Sequence, residues 1–128
     1  MTQFYTLKKQ TLACLFACLF VFPVISFSAE PQEIPVPGTV TLVDLGADKC
    51  IPCKMMAPIL EQLREEYKKR AAIVFLDVWK NPKFGRSFNI RTIPTQIFYN
   101  RSGEEVWRHQ GFLDKETIVE KLESLLKQ

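Results

Sequence analysis

Cys50 and Cys53 are separated only by Ile51 and Pro52, and the other two of the four cysteines, Cys14 and Cys18, lie far upstream. Thiols at this spacing can close a small disulfide and reopen it without rearranging the chain around them. Thiol–disulfide exchange begins when a thiolate attacks a disulfide sulfur, so the useful thiol is the one whose anion is stabilised. Cys50 falls where a helix is expected to begin, and unpaired N–H groups there favour negative charge by ~0.3–1 kcal/mol. Lys49 and Lys54 add positive charge that solvent and salt largely screen. Cys50 is therefore the expected nucleophile. Cys53, one turn further in and less exposed, is expected to attack the resulting mixed disulfide and expel the client thiol. Pro52 suits the first helical turn, where its missing N–H breaks no bond.

Other uses of the pair must be weighed. Zinc needs four ligands, or three and a water, and His109 on a later strand is the single histidine available. No metal is expected, and no cofactor either. A structural staple closing so short a loop would remove little chain entropy, so the bond is worth more as a switch than as a clamp. Asp44 is a second chemical candidate, a carboxyl within the apolar run Val40–Leu45. Burial there would raise its pKa, whereas an edge position open to water would not. Ile93-Pro94-Thr95 is a third. An X–Pro bond is cis in only ~5–6% of folded cases, so these residues alone read as a loop proline before a strand. His109, Trp79 and Trp107 read as hairpin or packing residues.

The elements that must position these groups follow from periodicity. Val40–Leu45 suits a buried strand, and a helix is predicted from about Cys50 to Lys69 with Met56, Ile59, Leu60, Leu63 and Tyr67 as its apolar stripe. Pro58 interrupts that helix. Ala72–Val78 reads as a strand covered on both faces. Asn81-Pro82 starts a short helix bearing Phe84 and Phe88 on one face. Thr95–Tyr99, a turn at Asn100–Gly103, and Glu104–His109 make a hairpin, and Asp114 caps a last helix with Ile118, Val119, Leu122, Leu125 and Leu126 on its apolar face. The order is β-α-β-α-β-β-α, an α/β class, with the first crossovers parallel and a terminal antiparallel hairpin.

That order, together with Leu42-Val43-Asp44, Cys50-Ile51-Pro52-Cys53-Lys54-Met55, Ala57-Pro58-Ile59-Leu60, Ile93-Pro94-Thr95 and Gly111, resembles the thioredoxin family from about Thr41 to Leu126. The resemblance implies a thioredoxin-like three-layer fold with a mixed four-stranded sheet, trimmed at the N-terminus because the segment before Thr41 is too short for the family's leading strand and helix. It implies that Cys50 and Cys53 form a redox-active disulfide and that Asp44 moves a proton on or off Cys53. It also implies that Ile93–Pro94 is cis, that Pro94 keeps metals off the thiols, and that Ile51, Pro52, Ile93, Pro94 and Thr95 line the client groove. A side chain at Gly111 would crowd that groove. Three positions depart from the family: Lys49 and Gly46 stand where tryptophans are usual, and Phe75 replaces the lysine that accompanies the aspartate. Ile51-Pro52 lacks the histidine of strongly oxidising relatives, which favours a reducing or mid-range couple.

The N-terminus is a separate matter. Lys8 and Lys9 precede an apolar run from Thr11 to Phe27, and Ser26-Phe27-Ser28 offers small residues for a signal peptidase. Residues 1–28 are expected to be a signal peptide cut after Ser28, with Ala29 the alternative, or else an uncleaved anchor. Cys14 and Cys18 are apolar members of this leader, although Leu15–Cys18 faintly resembles a lipoprotein signal. Pro31, Pro35 and Pro37 make residues 29–39 an extended tether before the 40–128 domain. All 14 acidic residues and all but Lys8 and Lys9 of the 17 basic ones follow the leader, leaving a net charge of +1. Nothing there grips nucleic acid. With no ER-retention ending, the chain is expected in a bacterial periplasm or cell envelope, where disulfides persist. There it would act as a monomer on client protein disulfides, recharged by a membrane thiol or electron-transfer protein. A redox sensor without turnover and a thiol-based metal carrier are the alternatives.

Overall fold

A computed structural model describes residues 33–128; the leader read over residues 1–28 and the start of the tether lie outside them. The described chain forms β1 (Val40–Gly46), α1 (Ile51–Glu66), β2 (Ala71–Asp77), α2 (Pro82–Ser87), β3 (Thr95–Tyr99), β4 (Glu105–Gln110) and α3 (Lys115–Leu126). The four strands make one mixed sheet in the order β2-β1-β3-β4. β1 runs parallel to β2 and antiparallel to β3, which pairs antiparallel with β4.

Only the first crossover is therefore parallel, and the expectation of a second is corrected. The reason is length. α1, at 16 residues, spans ~24 Å and can carry the chain back along a 7-residue strand of ~23 Å. α2, at 6 residues, spans ~9 Å and cannot. The chain accordingly enters β3 at the end of the sheet where β2 left it. Thr95 pairs with Leu45, so β1 and β2 end where β3 begins.

Alternation along the strands sorts the core into two layers. Leu42 and Phe98 face Met56, Leu60 and Leu63 of α1 and Ile118 and Leu122 of α3. Val43, Leu45 and Ile97 face the opposite way, against Leu76, the half-buried Phe84 of α2 and the half-buried Phe88 that caps it. Every residue of β1 is buried. β2 is not, contrary to its unbroken apolar run: it is the sheet's edge, and Phe75 is 37% exposed.

α1 stops three residues short of its predicted end. Tyr67 caps it, and its hydroxyl donates to Glu123 Oε1 of α3 at 2.9 Å, tying the two helices together. Asn81 accepts from Lys83 N–H at 3.2 Å at the start of α2, and Asp114 accepts from Thr117 N–H at 2.8 Å at the start of α3. The described part of the tether turns rather than extends. Thr39 N–H donates to Val36 O at 3.2 Å, Val36 N–H donates to Thr41 Oγ1 at 3.1 Å, and Ile34 packs on the α2-side core. Ile34 is half-buried there, and removing part of its apolar surface from water favours the fold-back. The Ile34–Pro35 bond is cis.

Candidate active site

The end of the sheet shared by β1, β2 and β3 gathers the chemical groups. Cys50 is the N-cap of α1, in extended conformation, and its Sγ accepts from Cys53 N–H at 3.3 Å. The two cysteines are joined by a disulfide across a Cα–Cα separation of 5.2 Å. Pro52 sits in the first turn of the helix, as the sequence suggests. The cysteines differ in access: Cys50 is half-buried, while Cys53 is only 4% exposed. Ile51, at 74% exposed, and the half-buried Pro52 form the rim between them and solvent.

Cys53 is buried against the backbone of Gly46. A Cβ added at Gly46 would lie 3.2 Å from Cys53 Sγ, 3.3 Å from its Cβ and 2.9 Å from the Phe75 ring. In this chain, a side chain at position 46 would therefore require the Phe75 ring and Cys53 to shift. Beside this contact a groove of about 330 Å³ opens between Phe75, Ala47, Cys53, Ala57, Leu60 and Arg64.

Asp44 lies two residues before Gly46 and so shares the face that meets α1. It is fully buried, which removes the reading of an edge carboxylate open to water. Across the four strands the register places Phe75, Asp44, Gln96 and His109 in one row. Gln96 Nε2 donates to Asp44 Oδ1 at 2.8 Å and lies 3.1 Å from Met56 Sδ of α1. Burial pushes the Asp44 carboxyl up to about 6, with the Gln96 hydrogen bond pulling the other way. Gln96 was not among the residues singled out from sequence. A long polar side chain directly before the apolar run Ile97–Tyr99, inside a strand expected to be buried, was the available signal.

The Ile93–Pro94 bond is cis, with Pro94 and Thr95 buried and Ile93 half-buried. Thr95 Oγ1 donates to Thr92 O at 2.7 Å and Gly111 N–H donates to Pro94 O at 2.8 Å, so both sides of the loop are pinned. Gly111 has φ 98° and open space where a Cβ would stand, so its backbone conformation is what favours glycine. A shallow groove of about 290 Å³ runs beside Ile93, lined by Val78, Trp79, Ile90, Arg91 and Thr92. His109 stacks on Trp107 at 5.8 Å, with Nε2 3.1 Å from Phe112 O, a packing role rather than a catalytic one. Among the described residues no three or more His, Cys, Asp or Glu side chains cluster as a metal-holding group.

A family model described as Thioredoxin matches residues 26–124. The chain belongs to the thioredoxin family. It is 44% identical over 87 residues to a thioredoxin of Staphylococcus saprophyticus, covering 68% of this chain and 83% of that protein. It is 41% identical over 91 residues to a thioredoxin of Staphylococcus aureus, covering 71% and 86%. Among solved structures, a single-site mutant of a thioredoxin from Halobacterium salinarum aligns with a TM-score of 0.64 at 31% identity, covering 71% of this chain and 78% of that one. The reduced thioredoxin pre-protein of Schistosoma mansoni aligns at 0.60 and 31%, covering 69% and 80%. Membership in the thioredoxin family and the close Cys50–Cys53 disulfide together assign thiol–disulfide oxidoreductase chemistry to this chain. The mixed sheet and three helices are the thioredoxin-like fold expected from the sequence.

Proposed function

We propose that this protein is an exported protein-disulfide reductase in which Cys50 attacks and Cys53 resolves. The observation that carries the reading is the asymmetry of the pair: one sulfur caps a helix at the rim, and the other is buried one turn deeper. In the reduced protein, Cys50 thiolate attacks a client disulfide, forms a mixed disulfide and releases the first client sulfur as a thiolate. Cys53 then loses its proton to the Asp44 carboxylate and attacks Cys50 Sγ. The second client thiolate leaves and the Cys50–Cys53 bond closes. The client gains two electrons and the protein loses two. Ile51, Pro52, Ile93, Pro94 and Thr95 would receive the extended client segment around the pair.

Export rests on the sequence alone, through Lys8, Lys9, the apolar run and Ser26-Phe27-Ser28. The periplasm is kept oxidising and holds no reducing pool, so a reductase there requires electrons from a membrane thiol carrier. Turnover of insulin with dithiothreitol tests the chemistry. The intact chain should accelerate reduction, Cys50→Ser should abolish it, and Cys53→Ser should accumulate a mixed disulfide with the client. Activity retained by Cys50→Ser would overturn the assignment of roles. Appearance of the full-length chain in the cytoplasmic fraction of a bacterial host would overturn export.

A further inference from the structure

Among the described residues, only two buried side-chain polar atoms lack a hydrogen-bond partner, and they belong to one interacting pair: Asp44 Oδ2 and Gln96 Oε1. Both residues are fully buried. With Asp44 ionised, both orphan atoms are acceptors, and each stays unsatisfied at a cost of ~1–3 kcal/mol. One proton on Oδ2 removes both deficits together. The carboxyl O–H becomes a donor for Oε1 while Nε2 continues to donate to Oδ1, giving a two-point acid–amide pair. The terminal torsion of glutamine is broad and two-fold, so the amide can turn to close the second bond.

We propose that Gln96 is the positioning residue for the proton of Asp44, accepting from the protonated carboxyl through Oε1 and reverting to a single donated bond when the carboxylate forms. The inference rests on thiol–disulfide chemistry at the neighbouring cysteines but assigns Gln96 a part in it that the pair alone does not require. In the resolving step, the Cys53 S–H bond breaks and the Asp44 Oδ2–H bond forms. Gln96 Oε1 gains a partner at that moment. When the protein is reduced again the proton returns to sulfur and the pair opens to one bond. Gln96 thereby stabilises the product of the proton transfer and acts through Asp44 rather than on the client or the reacting cysteines.

Other groups face the same region and must be separated from Asp44. Cys53 of α1 is tied in the disulfide, Phe75 of β2 is neutral, His109 of β4 stands in register with Gln96, and Lys121 of α3 lies 5.0 Å over the Trp107 ring. The Asp44 carboxyl is raised by its burial to about 6, and His109 is a second ionisable side chain in the same row. The experiment therefore uses the oxidised protein, in which no thiol titrates, and follows the Gln96 side-chain Cδ and the residue-44 side-chain carbonyl by carbon-13 NMR from pH 4 to pH 9.

Gln96 Cδ should shift through a single one-proton transition at the midpoint of Asp44 Cγ. In Asp44→Asn, whose amide donates permanently, it should stay at the acid-limit position throughout. A Gln96 Cδ that is flat while Asp44 titrates, or that still titrates in Asp44→Asn and so follows His109, would overturn the proposal. A kinetic arm separates positioning from packing. Gln96→Met preserves volume and the approach to Met56, and it should slow resolution of the mixed disulfide about tenfold at pH 7 and displace the midpoint of its pH profile. Loss of thermal stability with an unchanged profile and rate would mean that Gln96 only fills space.

Discussion

Asp44→Asn should make the oxidised protein more stable at pH 8 and leave it nearly unchanged at pH 4. The carboxyl is fully buried and raised from 3.8 to about 6. Between those values the folded chain holds a proton that the unfolded chain has released, so stability falls as pH rises through the window. At 1.36 kcal/mol per pH unit, the ionised fold carries a burden of about 3 kcal/mol above pH 6, and none once both states are protonated. Asparagine is neutral at every pH and nearly isosteric. It keeps an acceptor for Gln96 Nε2 and offers Gln96 Oε1 a donor. The gain should therefore grow from about 0.5 kcal/mol at pH 4 to about 3 kcal/mol at pH 8. Urea unfolding at the two pH values measures it, and with slopes of about 1–3 kcal/mol per molar the pH 8 midpoint rises by ~1–3 M. Equal midpoints at pH 8, or a gain of the same size at both pH values, would refute the claim that burial holds this carboxyl against ionisation.

Two further substitutions probe the surroundings of Cys53. Gly46→Ala should destabilise the oxidised protein by ~1–3 kcal/mol, because the new Cβ meets the Phe75 ring at 2.9 Å and the disulfide-tied Cys53 at 3.2–3.3 Å. Phe75→Ala in the same chain should recover the ring's share but not the disulfide's, so a double-mutant cycle by urea unfolding should show positive coupling. Phe75→Lys restores a cation in register with Asp44, and the edge position lets the ammonium reach solvent. An opposite charge favours the ionised carboxyl, so the Asp44 titration midpoint, read by carbon-13 NMR, should drop below 6. A midpoint that stays or rises would show that the lysine cannot approach the carboxyl.

Much of this arrangement was legible from residue type and spacing. The cap at Asn81-Pro82, the hairpin turn at Asn100–Gly103 and the Asp114 cap each rest on a local hydrogen bond, and local bonds leave local signatures. Cys50, Cys53 and Asp44 were legible because a close thiol pair and a carboxyl in an apolar strand are chemically conspicuous. What escaped is non-local. The direction of β3 depends on whether a helix is long enough to recross the sheet, and the strand's own residues carry no record of that. Phe75 belongs to an apolar run that reads as doubly covered, yet strand order puts it at an edge. Gln96 becomes meaningful only once β1 and β3 are paired antiparallel and Asp44 falls opposite it. Ile34 reads as part of a proline-rich spacer because the core cluster it packs against, which includes Leu76, Ile97 and Tyr99, is assembled from strands far along the chain.

On the proposed mechanism, the row Phe75–Asp44–Gln96 accounts for how Asp44 could serve Cys53 without the family's usual lysine. A cation beside a buried carboxyl stabilises the anion and lowers its affinity for a proton. With a phenyl ring in that place, the one group among the described residues that compensates the charge is the Gln96 amide, and a single neutral donor compensates less than an ammonium does. The carboxyl consequently stays near 6 instead of falling toward the ordinary range. That value suits a base working near neutral pH: the carboxylate is mostly ionised and ready to accept, yet its affinity for a proton is high enough to draw one from a thiol. On the proposed mechanism, phenylalanine in the lysine's place favours proton transfer at the expense of fold stability: the same burial that makes Asp44 costly at pH 8 would make it a stronger base for Cys53.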